Sequence, residues 1–331
     1  MTTTTLRRAL LPASLVASLA LAACGSADPL SEDPAEPDGD AAGDTASDPA
    51  DAPSGSIVVG GASFTEMQIM EEMYGALLTD AGYEIEIIAS DSREIYGQAL
   101  IDGDIDVVPE YAATMAEYLN REVNGPDAPL VATNDAAETV AAMEPLADEL
   151  GLVVAQPAEA ASQNGYAILE TVATENDITT LSDFAAFQPD IVLAATEECS
   201  TRPFCQPGLQ DTYGFAISEV LPLGFGSPQA KAAVVQDEAD MVLVGTTDAT
   251  LAADGLVLLE DDQSLQLADN LVPVLNATSA EDATLVETLN ALAPLLTTED
   301  LAELNRRVDA DRELPADVAT EFLTEAGLIG G

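Results

Sequence analysis

The chain predicts an α/β fold, a largely parallel sheet covered by helices on both faces. Two observations carry that expectation. From Ile57 onward, short β-branched runs alternate with segments of helical periodicity, which is the pattern of strand–helix–strand units. Runs such as residues 241–244 are apolar at every position, as in strands buried on both faces.

Taken in order, residues 56–60 form the first strand. The Ser63-Phe64-Thr65-Glu66 that follows has Ser-x-x-Glu capping-box spacing, opening a helix to about Ala81 that Gly82 stops. Residues 83–89 are a strand, 92–102 a helix stopped by Gly103, and 105–109 a strand running into Glu110-Tyr111. Residues 136–150 are helical and stopped by Gly151; 152–154 and 166–169 are strands. A short helix at 181–187 precedes a strand at 191–194, and a helix at 228–238 precedes the buried strand 241–244, which leads to Thr246-Thr247-Asp248. Residues 256–259 and 271–275 are further strands, the latter expected at an edge because Pro273 cannot donate to a ladder. Helices over 282–293, 298–308 and 316–326 close the chain, and no internal repeat of 20 to 50 residues is visible. Sheets of this kind bind ligands beyond the carboxyl ends of strands and near helix N-termini, so residues 61–65, 110–114 and 246–248 are candidate site loops.

The N-terminus reads as an export signal. Residues 9–23 are apolar or small, follow Arg7-Arg8 and lead into Gly25-Ser26. The run is shorter than the about 20 residues needed to span a bilayer. Leu21-Ala22-Ala23-Cys24 resembles a bacterial lipobox, which implies cleavage before Cys24 and diacylglycerol on its sulfur. Residues 1–23 are thus expected as a lipoprotein signal peptide and 24–55 as an acidic tether, too poor in large apolar residues to fold and about 30 Å in root-mean-square span.

The 331 residues include nine basic and sixty acidic side chains, a formal charge of −51. Without residues 1–23, seven basic side chains remain against sixty acids, a formal charge of −53. Such a chain cannot bind nucleic acid by counterion release, and anionic head groups repel it, so lipid rather than a basic patch must hold it at a membrane. Its self-repulsion is screened by salt, which suits a saline habitat and equally an ordinary acidic exported protein. His and Trp are absent, which excludes a His metal site or a His general base. Neither a Gly-x-Ser-x-Gly elbow nor a Walker loop is present, so no enzyme, metal or cofactor is expected. Cys199 and Cys205 are an even pair in an exported chain and read as a disulfide; their spacing is not that of a Cys-x-x-Cys redox centre.

Several blocks together resemble the substrate-binding lipoproteins of osmoprotectant ABC importers, the glycine betaine, carnitine and choline type. They are Ser63-Phe64-Thr65-Glu66, Gly103-Asp104-Ile105-Asp106-Val107-Val108-Pro109-Glu110-Tyr111 with Thr114, Asn164-Gly165-Tyr166-Ala167, and Pro207-Gly208-Leu209-Gln210-Asp211-Thr212-Tyr213-Gly214. Thr247-Asp248 and Leu259-Glu260-Asp261-Asp262 also fit. The resemblance implies a bilobed class II periplasmic-binding-protein-like fold whose chain crosses twice between lobes that close on a ligand. Lobe one would comprise residues 56–162 and 249–331, lobe two residues 163–248.

The resemblance further implies a cage of tyrosines around a quaternary ammonium, which cannot donate hydrogen bonds and is held by cation–π attraction. Tyr111 and Tyr166 match cage positions, Thr114 and Asn164 the polar positions beside them, and Gln68 a head-group contact. Tyr213, Thr247 and Asp248 lie in matching blocks. Where relatives often carry an aromatic before Ser/Thr-Thr-Asp, this chain has Gly245, so Phe204, Phe215 or Phe225 replaces that wall or the pocket takes a different ligand. Arg202 reads either as the partner of a betaine carboxylate or as an ion pair with Glu197, Glu198 or Asp211.

The function expected is capture of such an osmoprotectant outside the cell and its delivery to an ABC permease and ATPase, from a lipid anchor on the outer face of the membrane. The alternatives are an amino acid or other polar solute on the same fold, and a sensory receptor without transport.

Overall fold

The computed structural model describes residues 55–330. The expected signal peptide, lipidation at Cys24 and tether lie outside the described residues, except Gly55.

The chain first builds β1 (Ser56–Ala62), α1 (Thr65–Ala81), β2 (Glu84–Ser90), α2 (Arg93–Asp102), β3 (Val107–Tyr111), α3 (Ala112–Asn124), α4 (Ala136–Glu149) and β4 (Leu152–Val154). It continues through β5 (Asn164–Leu169), α5 (Glu170–Glu175), α6 (Leu181–Phe187), β6 (Asp190–Ala195), a 3-10 turn at Glu197–Ser200, the single turn α7 (Gln206–Gly208) and a π turn at Leu209–Tyr213. β7 (Ala216–Pro222), α8 (Pro228–Val235), β8 (Met241–Gly245) and β9 (Leu256–Leu259) follow. β10 (Leu271–Asn276), α9 (Ala283–Asn290), α10 (Thr298–Asp309) and α11 (Pro315–Glu325) complete it.

These strands form two five-stranded sheets, ordered β2-β1-β3-β10-β4 and β7-β6-β8-β5-β9. The two orders match position for position, although no sequence repeat announces it. In each, four strands run in one sense and the strand fourth in order, entered just after a crossing between sheets, opposes them: β10 runs antiparallel to β3 and β4, and β5 antiparallel to β8 and β9. The sheets are therefore mixed rather than largely parallel. Such a strand arrives from the other lobe at the far end of the sheet and can only return along it in the opposite sense.

Two expectations change. β10 is not an edge strand, although it contains Pro273. The Pro273 carbonyl accepts from Ala155 N, 2.9 Å, on the β4 side, so its missing N–H faces that side too, at the point where β4 ends. The return to the first lobe also falls later than residue 249, because β9 pairs with β5 in the second sheet from Tyr166↔Leu259 to Leu169↔Leu256. The second crossing thus lies between β9 and β10, where Ser162 N donates to the Asp269 carbonyl, 3.2 Å, and Gln163 Nε2 to the Leu267 carbonyl, 2.6 Å.

β3 and β8, central in their sheets, are buried at all five positions, which explains the unbroken apolar run of β8; β3 departs from it only at Glu110 and the polar end of Tyr111. α3, absent from the sequence expectation, buries Ala112, Met115, Ala116 and Leu119, a helical stripe in which alanines alternate with larger apolar side chains. The capping box at Ser63 does not form: the N-cap of α1 is Phe64, without a side-chain cap. Glu66 turns inward instead. No described helix is long and apolar enough to cross a membrane.

Candidate functional site: the cleft between the lobes

A cleft of about 1300 Å³ separates the sheets. The first lobe supplies the β1–α1 loop, the start of α2, and the end of β3 with α3. The second supplies residues 196–204 and 222–228. Ser162, Gln163 and Asp269 line it at the crossings. Five of the seven basic side chains beyond residue 23 line it as well: Arg93, Arg121, Arg202, Lys231 and Arg312. In a chain this acidic, positive charge has been concentrated at one place.

The first-lobe wall rests on Glu110, fully buried at the end of β3. Arg93 grips it with a fork, Nε to Oε1 and Nη2 to Oε2, both 2.8 Å, while Tyr96 donates to Oε1, 2.7 Å, and Tyr111 N to Oε2, 3.0 Å. Burial by itself lowers the Arg93 pKa, but the charge and hydrogen bonds of Glu110 together with Tyr96 and Asp269 outweigh it and drive it well up, so the guanidinium stays charged. A buried pair with its oxygens this fully engaged is rigid, and losing either partner costs about 3–5 kcal/mol. Arg93 Nη2 also reaches Thr114 Oγ1, 3.0 Å, which ties α2 to α3.

A second buried carboxylate links the wall to the other lobe. Glu66 Oε1 accepts from the Tyr111 hydroxyl, 2.7 Å, and Oε2 from Thr247 Oγ1, 2.5 Å, and Asn305 Nδ2, 2.7 Å. Thr247 also meets Ser162 Oγ, 2.9 Å. Burial and the Glu66 charge push the Tyr111 phenol well up, so it remains a neutral donor. Its ring is thereby fixed. Phe64 stacks on Tyr111 at 6.4 Å between centroids and meets Phe225 of the second lobe at 4.9 Å, giving three rings along one side of the cleft.

Of the residues expected to bind ligand, Tyr111, Thr114, Asn164 and Arg202 line this cleft. The other five do not. Tyr166 is 1% exposed, packed in the second sheet with its hydroxyl on the Phe204 carbonyl, 2.8 Å. It shares its face of β5 with Asn164, two residues earlier, whose Nδ2 lies 3.5 Å from the same carbonyl, so it packs beneath the cleft wall rather than on it. Tyr213 is hydrogen-bonded to Asp261, and Gln263 N donates to its hydroxyl, 2.9 Å. Gln68 lies one turn into α1 and folds back to the Ser63 carbonyl, 3.0 Å. Thr247 belongs to the buried Glu66 cluster, and Asp248 pairs with Lys231, 2.9 Å. Cys199 and Cys205 are joined as a disulfide. The loop they close presents Arg202 not to Glu197, Glu198 or Asp211 but to Glu94 of the first lobe, Nη2 to Oε2, 2.9 Å.

The missing wall at Gly245 has a physical answer. A Cβ there would stand 3.7 Å from Phe225, whose ring occupies that side of the cleft. Phe204 also lines the cleft, whereas Phe215 is buried against Phe184 and Tyr213. Sequence reasoning placed Phe64 only within the candidate loop 61–65, without a role, and missed Arg93, Glu66 and Asp269 as site groups. The scarcity of basic residues could have flagged Arg93; nothing marked Asp269. Among the described residues, no group of three or more His, Cys, Asp or Glu side chains is placed to hold a metal ion.

Two lobes of one strand order, two crossings and a ring-lined cleft between them define a bilobed solute-binding protein. The chain belongs to the family of substrate binding domains of ABC-type glycine betaine transport systems, whose profile matches residues 55–325. Family members of this kind bind and deliver solute and are not enzymes. The chain is 25% identical over 290 residues to a glycine-betaine-binding protein of Pseudomonas aeruginosa, covering 84% of this chain and 90% of that protein. It is 21% identical over 280 residues to a carnitine transport binding protein of Listeria monocytogenes, covering 83% and 88%. A solved glycine betaine/carnitine/choline ABC transporter structure shares the fold at a TM-score of 0.61, with 22% identity over 82% of this chain and 99% of that one.

Proposed function

We propose that the cleft captures a quaternary-ammonium osmoprotectant of the glycine betaine, choline or carnitine type and that the closed lobes present it to an ABC permease and its ATPase. The observation that carries this reading is the row of three rings, Phe64, Tyr111 and Phe225, drawn from both lobes. A trimethylammonium group has no hydrogen to donate, and desolvated ring faces are worth about 2 kcal/mol or more to it. Because the rings belong to both lobes, such a cation favours closure. The export signal and lipobox support an extracytoplasmic site with Cys24 as lipid anchor, which keeps the receptor near its permease. Residues 24–55 would be the tether.

A second reading, an amino acid or other polar solute, is favoured by the absence of Tyr166 and Tyr213 from the cleft lining, which leaves Tyr111 as the one expected cage tyrosine there, beside Tyr96 and Tyr118. Titration calorimetry with glycine betaine, choline, carnitine and proline separates the two. Binding of a quaternary amine that falls at least tenfold in Tyr111→Ala and Phe225→Ala supports the first; binding of proline alone supports the second.

A further inference from the structure

Five carboxylates are buried in the described body: Glu66, Glu71, Glu110, Glu117 and Asp269. Glu71 lies behind the cleft, away from its lining. Glu110 is held by Arg93 and Tyr96, and Glu66 by Tyr111, Thr247 and Asn305, as described above. Glu117 Oε1 accepts the amides of Val131, 2.7 Å, and Ala132, 2.8 Å, and its Oε2 lies 3.3 Å from Asn120 Nδ2. Asp269 differs. It lines the cleft and is 4% exposed, and its Oδ1 accepts from Thr114 N, 3.0 Å, while Oδ2 accepts no hydrogen bond from the described residues. That oxygen is open to the cleft rather than sealed in the protein, so it is free to meet a charged group of the solute. Trimethylammonium satisfies it through charge alone.

We infer that Asp269 is the counter-ion of the solute's cationic head and a specificity-determining residue of the cleft. The inference rests on the quaternary-amine reading and adds to it an acidic group in the same cleft as the rings. Asp269 is two residues before Leu271, which pairs with Tyr111 across β10 and β3, so the carboxylate and the ring belong to one corner of the first lobe.

The surroundings of Asp269 make its charge conditional. α2 presents Arg93, which favours ionisation; β3 presents Glu110, which opposes it, and the neutral Tyr111; α3 presents the amides of Ala113 and Thr114, which favour it. Glu117, a turn further along α3, is engaged by its own amides. Burial outweighs the favourable groups and pushes the Asp269 carboxyl up to about 7. Near neutrality an arriving cation therefore finds part of the population protonated and drives that proton to solvent. If only the ionised form binds, apparent affinity scales with the ionised fraction and rises about tenfold from pH 6 to pH 8.

The test is titration calorimetry with choline, glycine betaine and 3,3-dimethylbutanol, the uncharged isostere of choline, on wild type and Asp269→Asn. The asparagine keeps an acceptor for Thr114 N. For the wild type we expect choline affinity to rise about tenfold over that pH range, with proton release read from buffers of different ionisation enthalpy. In Asp269→Asn the profile should be flat and the preference for choline over its isostere should fall at least fivefold. Should the variant fold poorly, the wild-type pH profile and proton release decide alone. Quaternary amines binding with a flat wild-type profile, or with an unchanged choline preference in a folded variant, overturn the counter-ion and leave the osmolyte reading standing. No binding of any quaternary amine by the wild type overturns both.

Discussion

Arg202 and Glu94 join the two lobes across the mouth of the cleft, with Nη2 2.9 Å and Nε 3.3 Å from the same carboxylate. Burial tends to push the Glu94 carboxyl up, but the hydrogen bonds and charge of Arg202 prevail and hold it down at about 2. Arg121 adds a second strut to the same loop, Nη1 to the Thr201 carbonyl, 2.9 Å. A disulfide-closed loop of the second lobe is thus clasped by two elements of the first.

The clasp is partly exposed, 27% for Arg202 and 44% for Glu94, so it contributes about 1 kcal/mol or less. Arg202→Ala should weaken solute binding by no more than about fivefold at low salt. The effect should fade at 1 M salt, where the screening length is about 3 Å. Calorimetry at both salt concentrations checks this, and a hundredfold loss would mean that Arg202 touches the solute.

Gly245 sets a second expectation. A Cβ there meets Thr247 Oγ1 at 3.4 Å, Ser162 Oγ at 3.5 Å and Phe225 at 3.7 Å, all ordinary contacts. Gly245→Ala should therefore change stability by about 0.5 kcal/mol or less. Gly245→Tyr has no room unless Phe225 moves, and should lower both stability and solute affinity. Thermal melts and calorimetry on the pair decide.

Glu71 governs a pH effect. It is 2% exposed, its Oε1 has no hydrogen-bond partner, and burial, with Glu72 nearby, pushes its carboxyl up to about 8. Between the unfolded value of about 4.3 and the folded value, the native state holds a proton that the unfolded chain has released, so this group makes stability fall as pH rises. Glu71→Gln should match the wild type near pH 4, at or below the unfolded value, and be more stable by a few kcal/mol at pH 8. Denaturant melts at the two pH values check it; a variant less stable at pH 8 contradicts it.

The net charge of −51 predicts that the melting temperature rises as salt screens acid–acid repulsion. A melting series from low salt to 1 M chloride should show a monotonic increase. A flat series would mean that local pairs such as Arg307 with Glu313 and Glu321 already neutralise the repulsion that matters.

What the sequence determined by itself was everything that local periodicity and composition encode. Strands such as β8 and helices such as α1 and α10 were legible because their apolar pattern, and the glycine that stops α1, depend only on near neighbours. The exported character, the Cys199–Cys205 pair, and the placement of Tyr111 and Thr114 beyond β3 followed from spacing and resemblance. Tertiary structure decided which side chains reach the cleft surface. Tyr166 sits in a matching motif, yet it is buried beneath Phe204, while Phe225, in an unremarkable loop, closes over Gly245. It also decided partners far apart in the chain: Arg202 with Glu94, Glu66 with Thr247 and Asn305, and the open oxygen of Asp269. Charge and hydrogen-bond complementarity act through space, and two crossings between lobes bring together residues that no local window contains.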